Sequence, residues 1–139
     1  MSLIIVIVGS LLLGCSRQTG DKDVIPLRSS VIFAIEQDGE VKLSMWTTEV
    51  FPCLNYDLRT DFRQTGRRIE VKIDGVVPPK TCFGREGPAR YVHSMVSLSP
   101  GTYELVIASQ RQTDRYRIRA VQDRLEIDPV QQSFTDYWD

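Results

Sequence analysis

The feature that most constrains the fold of this chain is a succession of short segments, from Ser30 onward, in which apolar and polar side chains alternate. Such alternation is typical of β-strands that bury one face, and turn-forming residues separate the segments about every 8–12 residues. No segment has the periodicity of an amphipathic helix. The pattern predicts an all-β domain, a single antiparallel β-sandwich of about seven or eight strands. The predicted strands cover residues 30–36, 41–47, 54–62, 67–74, 90–98, 102–109, 115–121 and 124–128.

The odd-numbered positions of the apolar residues predict how the two strands of the first hairpin align. The apolar residues of both strands are odd-numbered, so they share one face only if opposed residue numbers have an even sum. We therefore predict a three-residue loop from Gln37 to Gly39, in which Gly39 has a positive φ. This alignment places Ile35 opposite Val41.

Charge predicts the alignment of the second hairpin. A two-residue turn at Thr65-Gly66 would oppose three pairs of like charges, which is unfavourable. A four-residue loop from Arg63 to Gly66 opposes unlike charges instead, and we predict this alignment. Its charged pairs are Asp61–Arg68, Arg59–Glu70 and Asp57–Lys72, and it also places Leu58 opposite Val71.

The last predicted hairpin carries a row of arginines, Arg115, Arg117 and Arg119. A tight turn at Gln122-Asp123 places two of them opposite acidic residues. The predicted pairs are Arg119–Glu126, Arg117–Asp128 and Ile118–Ile127. The row suits either a patch for anions or polysaccharides or a solvated ladder of charges, and the acids across the strand favour the ladder.

The N-terminal residues have a different character. Residues 3–13 form an uncharged run of apolar and small residues, too short for a transmembrane helix of about 20 residues but suited to a secretory signal. The run ends at Leu12-Leu13-Gly14-Cys15, which resembles the lipobox of bacterial lipoproteins. The resemblance implies cleavage after Gly14 and a diacylglyceryl group on Cys15, which becomes the first residue of the mature chain. The alternatives are an ordinary signal peptide and a short anchor, with an incidental cysteine.

This resemblance divides the chain into three expected parts. Residues 1–14 are the lipoprotein signal peptide, residues 15–29 are the acylated cysteine and a flexible polar tether, and residues 30–139 are the β-domain. The lipid on Cys15 would hold the protein in a bacterial cell envelope, at the outer membrane if the cell is Gram-negative. The domain would then lie in the periplasm or at the cell surface.

Two further cysteines remain once Cys15 is acylated. Because a secreted chain usually oxidises such a pair, we predict a Cys53–Cys82 disulfide. It would join the third predicted strand to the Pro- and Gly-rich connection 76–88. The alternative, a free catalytic thiol, needs a base, and the single histidine, His93, has no acidic motif beside it.

Little in the sequence points to catalysis or a cofactor. We predict that Val92, Val96 and Leu98 face inward and that His93 faces solvent. One histidine makes a metal site unexpected, and the chain has neither a Gly-rich phosphate loop nor a nucleophile elbow. Lys and Arg number 17 against 18 Asp and Glu, so no basic excess suggests nucleic acid as a partner.

The stretch Pro100-Gly101-Thr102-Tyr103-Glu104-Leu105 is similar to the Pro-Gly-x-Tyr-x-Leu segment of many immunoglobulin-like and carboxypeptidase-regulatory-like β-sandwich domains. This similarity implies an immunoglobulin-like sandwich with Tyr103, Leu105 and Ile107 in its core. It implies no function, because such domains host many functions.

Aromatic residues near the C-terminus bear on what the domain does. We expect one or two of Phe134, Tyr137 and Trp138 to cover an open end of the core. The alternative is an exposed aromatic tail that docks a protein or a carbohydrate, and Trp46, on the outward side of its strand, suits either role.

Taken together, these features predict an anchored, non-catalytic lipoprotein that binds or scaffolds an envelope protein or glycan. The alternative function is that of an envelope hydrolase or inhibitor module that acts on glycans or proteases through the 76–88 loop.

Overall fold

The computed structural model describes residues 23–139, and within this range the chain forms nine β-strands and no helix. The strands are β1 (Val31–Asp38), β2 (Glu40–Phe51), β3 (Asp57–Thr65), β4 (Arg68–Val77), β5 (Gly87–Met95), β6 (Gly101–Ala108), β7 (Thr113–Val121), β8 (Arg124–Gln131) and β9 (Thr135–Tyr137). The expected signal peptide, Cys15 and the first part of the tether lie outside the described residues. No helix long and apolar enough to cross a membrane occurs in residues 23–139.

All nine strands belong to one mixed sheet in the order β8-β7-β6-β4-β3-β5-β2-β1-β9. The all-β prediction is confirmed. The sheet differs from the predicted one because it has a ninth strand and three parallel pairs, β1 with β9, β3 with β5 and β4 with β6. The parallel β4–β6 pair arises because β5 joins β2 on the far side of β3, so that the chain must cross the β3–β4 hairpin before β6 begins.

The sheet bends around one core and nearly closes on itself. The rings of Phe33 on β1 and Tyr116 on β7 meet edge to face with centroids 4.8 Å apart, although these strands lie near opposite ends of the sheet. The largest fully buried side chains include Phe33, Leu43, Met45, Leu58, Ile69, Ile73, Leu105, Ile107, Tyr116 and Ile118. The core positions predicted for Tyr103, Leu105 and Ile107 are confirmed.

The first hairpin aligns two residues away from the prediction, with Val41 opposite Gln37 rather than residue 35. The predicted even sum is confirmed, so the apolar residues of β1 and β2 share the inner face. Gly39 has the predicted positive φ, at 72°. The observed alignment opposes Glu36 to Lys42, an unlike-charge pair that the predicted alignment lacks.

The predicted alignment of the second hairpin is wrong. The turn is Gly66-Arg67, and Asp61 lies opposite Lys72 while Arg63 lies opposite Glu70. Unlike charges do face each other, as the reasoning required. Acids and bases alternate along both strands, however. Sliding one strand by four residues, from Asp61 opposite Arg68 to Asp61 opposite Lys72, therefore restores unlike pairs. The charge pattern does not choose between these two alignments.

The predicted alignment of the third hairpin is confirmed in full. Arg119 lies opposite Glu126, Arg117 opposite Asp128 and Ile118 opposite Ile127. Here hydrophobic alternation and charge select the same register, and Gln122 in the turn has a positive φ of 52°.

Contacts between the N-terminal segment and the sheet begin within the part expected to be tether. Ile25 and Val76 exchange two backbone hydrogen bonds, of 2.7 and 2.8 Å, and Leu27 packs against the core. Gly75 makes this approach possible, since a Cβ there would lie 2.4 Å from the carbonyl oxygen of Ile25. The described chain is thus attached to the sheet from Ile25 onward.

A buried carboxylate fastens the C-terminal strand. Asp114 is fully buried on β7 and accepts hydrogen bonds from the backbone N–H groups of Ser133, Phe134 and Thr135 and from the hydroxyls of Ser133 and Thr135. Burial alone would raise the pKa of Asp114, but these hydrogen bonds outweigh it and hold the pKa below its usual range. The network places β9 beside β1.

Candidate functional site

The predicted disulfide between Cys53 and Cys82 is confirmed. It joins the segment after β2 to the connection between β4 and β5, with Cα atoms 5.4 Å apart. Sequence reasoning placed Cys53 at the start of a strand, whereas it lies in the turn region that precedes β3.

The side chain of Asn55 also holds the connection between β4 and β5 in place. The Asn55 side-chain amide donates to the carbonyl oxygen of Thr81 at 2.7 Å, and its oxygen accepts from the backbone N–H of Phe83 at 3.1 Å. Asn55 therefore binds the residues immediately before and after Cys82. No sequence pattern singled out Asn55, because its role depends on a contact 26–28 residues away.

Apolar side chains around the disulfide are exposed to solvent. Phe83 is 63% exposed and Leu54 is 47% exposed. The carbonyl oxygen of Phe83 accepts a hydrogen bond from the backbone N–H of Leu54 at 3.1 Å, so it points toward its own domain. The connection thus offers the Phe83 ring for recognition but not the peptide bond after it.

His93 does not face solvent as predicted. It lies opposite the buried Leu43, and its ring stacks on Phe62 with centroids 4.0 Å apart. Val92, predicted to face inward, is 62% exposed instead, and Val96 is 75% exposed, while Leu98 is buried as expected.

The reason for this reversal lies in the neighbouring strands. β3 and β5 share only the Asp57–Arg90 pair and then separate, so planar rings from both strands fill the gap between them. Tyr91 is the third ring, with its centroid 6.0 Å from that of His93. Burial raises the pKa of Tyr91, with smaller contributions from the charges of Asp61 and Asp57.

The outer surface of β9, β1, β2 and β5 carries both tryptophans of the chain, and we call it the tryptophan face. Trp46 lies opposite Ile32 on β1 and Arg90 on β5. One pair further along, Ser44 lies opposite Ala34 and Val92. The face is therefore defined by Ile32, Ala34, Ser44, Trp46, Val92 and Trp138.

Trp138 joins this face through the backbone. Its N–H donates to the carbonyl oxygen of Phe33 at 2.8 Å, so the chain continues beside β1 after β9 ends. Asp136 lies opposite Ile32, and alternation places Trp138 two residues further on the same side. The two tryptophans stand on strands two spacings, about 10 Å, apart, with Ile32 and Ala34 of β1 between them.

The face is largely apolar, and Trp138 and Val92 are its exposed members, whereas Ala34 is buried. Trp138 is 64% exposed, and Trp46 and Ile32 are half-buried. The other two C-terminal aromatics cover the core as expected, since Phe134 is buried and the ring of Tyr137 packs on Phe33 at 5.4 Å. The sequence indicated each tryptophan as a candidate, but only the pairing of β9 with β1 brings them onto one surface.

The placement of metal-ligating side chains and of carboxylates bears on metal binding and catalysis. In residues 23–139 no group of three or more His, Cys, Asp and Glu side chains is arranged to hold a metal ion. One concavity contains Glu126, Asp128 and Asp139, and the first two of these acids lie near Arg119. Another contains Asp61 and Glu70. Asp61 lies opposite Lys72, and Glu70 accepts a hydrogen bond from Arg68 Nε at 2.6 Å, so both carboxylates have cationic neighbours.

Comparison of the chain with protein-family models, with curated proteins and with solved structures finds no match.

Proposed function

We propose that this protein is a lipid-anchored component of a bacterial cell envelope whose domain binds a partner protein and performs no chemistry. The tryptophan face is the observation that carries this proposal. Tryptophan is enriched at the centres of protein interfaces because one side chain supplies a large rigid area. A contiguous apolar surface that reaches solvent is also a usual mark of a binding site.

The composition of the face favours a protein over a glycan. Between and beside the tryptophans lie aliphatic or small side chains, Ile32, Ala34 and Val92, which bury well against apolar protein surface. The polar groups of this surface are few: Ser44 lies within the face, and Arg90 and Asp136 stand at the two ends of the row that contains Trp46 and Ile32. This arrangement resembles an apolar interface centre with a polar rim.

The anchor proposed at Cys15 sets how far the domain reaches. Because the described chain is attached to the sheet from Ile25, the proposed tether from Cys15 to Val24 has ten residues. At about 3.3–3.6 Å per residue it spans at most roughly 35 Å. Two or three acyl chains would bind the membrane firmly, because each buried CH₂ contributes about 0.8 kcal/mol.

As a finer account of the fold, we propose that the bent sheet acts as two packed layers of immunoglobulin-like character. The support is the contact between Phe33 and Tyr116, which joins strands from the two ends of the sheet across the core. The burial of Tyr103 and Leu105 after the Pro100-Gly101 turn also agrees with the sandwich segment that these residues resemble.

Site-directed photocrosslinking in the native cells tests the partner. A photoreactive amino acid at Val92, on the tryptophan face, is expected to give a discrete protein adduct that disappears in the Trp138→Ala variant. The matched control is the same amino acid at Val121, which is 48% exposed at the end of β7. Equal adducts from both positions, none from Val92, or an adduct only with glycan would contradict a protein partner on this face.

One observation supports the alternative, an inhibitor module or hydrolase that acts through residues 76–88. The Cys53–Cys82 disulfide and Asn55 hold Phe83 exposed on a rigid support, which lowers the entropic cost of binding. If this alternative were correct, the full chain would inhibit proteases with apolar specificity pockets, and Phe83→Ala would abolish inhibition while Trp138→Ala would not.

A further inference from the structure

A groove beside the first half of β6 and the middle of β7 is lined by three arginines, Arg67, Arg115 and Arg117, together with Thr102 and Val130. We call it the arginine groove, and its volume is about 390 Å³. Its lining residues belong to β6, β7, β8 and the turn before β4, none of which contributes to the tryptophan face. What it binds is therefore independent of the function proposed above.

The structure holds Arg67 in place without pairing it to an acid. Its guanidinium lies over the ring of Tyr103, 5.4 Å from the centroid. The Tyr103 hydroxyl donates to the carbonyl oxygen of Ser99 at 2.8 Å, which fixes the ring. Gly101 leaves the necessary space, because a Cβ there would lie 1.7 Å from Arg67 Nη1.

The charges around the groove leave an excess of positive charge. Glu104 is the one acid among its lining residues, so three arginines less one glutamate leave two positive charges. Glu104 already binds Arg115 at 2.8 Å and lies 3.7 Å from Arg68.

Arg117 was expected to pair with Asp128, which lies opposite it. The nearest arginine to Asp128 is Arg119 instead, at 3.7 Å, and Arg119 also binds Glu126 at 2.6 Å. Among the described residues, neither Arg117 nor Arg67 forms an ion pair. Of the two arginines in the predicted ladder, Arg119 has its acidic partner and Arg117 has none in the described part of the chain. Arg115 binds Glu104 on β6 instead, and Arg67 lies outside the ladder.

We propose that the arginine groove binds a phosphate group. A guanidinium presents N–H donors in a planar fork that matches the oxygens of phosphate, and two unpaired forks with a third beside them suit its charge. The hydroxyl of Thr102 adds a neutral donor, and Val130 supplies an apolar wall for the organic part of the ligand. The phosphate group belongs either to a soluble phosphate ester or to the headgroup of an anionic phospholipid.

NMR titration of the full chain in neutral maltoside micelles tests the proposal. Inorganic phosphate, added at constant ionic strength, is expected to shift the side-chain Nε–Hε signals of Arg67 and Arg117 in a saturable way. Loss of one charge-assisted contact in Arg117→Gln should weaken binding about tenfold or more. The matched control is Arg85→Gln, which removes one exposed arginine from the connection between β4 and β5 and should leave the affinity unchanged.

The source of the phosphate is read from a second titration. If the ligand is a lipid headgroup, phosphatidylglycerol added to the micelles should shift the Nε–Hε signals of Arg67 and Arg117. Inorganic phosphate should then compete and reverse this shift. If only inorganic phosphate shifts them, the groove takes a soluble ligand. Absence of saturable shifts with both probes, or equal weakening by Arg85→Gln and Arg117→Gln, would overturn the proposal.

Discussion

At the scale of single residues, Asp114 shows how one buried charge determines the end of the chain. Five hydrogen bonds converge on its two oxygens, so its charge is satisfied without a cation. The sequence did carry a signal that went unused. By strand alternation, Asp114 lies on the same inner face of β7 as Tyr116, Ile118 and Ala120. A buried carboxylate requires hydrogen-bond donors, and the sequence alone does not show where they are.

Replacing Asp114 by Asn should lower the free energy of unfolding at pH 7 by about 3 kcal/mol, because the amide group would face N–H donors that need an acceptor. Urea denaturation measures this loss. The exposed control Asp128→Asn should cost less than about 1 kcal/mol, since Asp128 takes part only in a surface ion pair. Equal losses in the two variants would contradict the structural role of Asp114.

The same residue predicts a dependence on pH. Its pKa is lowered in the folded state, so it contributes stability that is fully present above the unfolded value of about 3.9 and is lost as pH falls through the folded value. The stability difference between the native chain and Asp114→Asn should therefore narrow below about pH 4. A difference that is constant between pH 7 and pH 3 would show that the charge does not act this way.

Gly75 is the residue that admits the N-terminal segment. It has a positive φ of 154°, and its missing Cβ leaves room for Val24 and Ile25. Gly75→Ala should increase amide hydrogen exchange at Ile25 and Val76 and cost about 1–3 kcal/mol. Gly66→Ala is the matched control, because Gly66 has a positive φ but nothing within 4 Å, so it should leave exchange at Ile25 unchanged.

At the scale of elements, the β7–β8 hairpin allows a direct test of cross-strand charge. Arg119 and Glu126 approach to 2.6 Å, with side chains 51% and 31% exposed. In a double-mutant cycle, Arg119→Glu should destabilise the protein modestly and the added Glu126→Arg should restore much of the loss. We expect a coupling of about 0.2–1 kcal/mol after solvent screening, which should fall with salt. Additive effects of the two substitutions would show that the pair contributes no stability.

The disulfide fastens the longest connection between strands. In the chain-entropy model, the 29-residue separation of Cys53 and Cys82 suggests that the bond stabilises the fold by about 3–4 kcal/mol. The double variant Cys53→Ala/Cys82→Ala should show this loss in urea denaturation, and non-reducing digestion of the native chain should yield one linked peptide. Two free thiols in the digest, or unchanged stability in the variant, would contradict this account.

The sequence predicted elements better than the contacts between distant elements. Eight strands and the third hairpin follow from local alternation and charge, whereas β9, with three residues, is too short to show a period and depends on Asp114. Hydropathy favours valine inside and therefore predicts the wrong faces for His93 and Val92. The stacking of Phe62 on His93 reverses this preference, and it arises only where β3 and β5 separate.

At the scale of the whole molecule, the proposed surfaces lie in separate parts of one sheet. The tryptophan face belongs to β9, β1, β2 and β5, and the arginine groove to β6, β7 and β8 with the turn that precedes β4. Neither could be assembled from the sequence alone, since the face needs the pairing of β9 with β1 and of β5 with β2, and the groove needs Arg67 beside Tyr103. A tether from Cys15 would span at most about 35 Å. Both surfaces would therefore lie no further from the membrane than this span together with the width of the domain.

The most direct test of the lipid-anchored account is intact mass spectrometry of the protein extracted from membranes of its native cells. The account predicts a mature chain that begins at Cys15 and carries the added mass of a diacylglyceryl group. A chain recovered from the soluble fraction with an unmodified Cys15, or one that keeps residues 1–14, would contradict it.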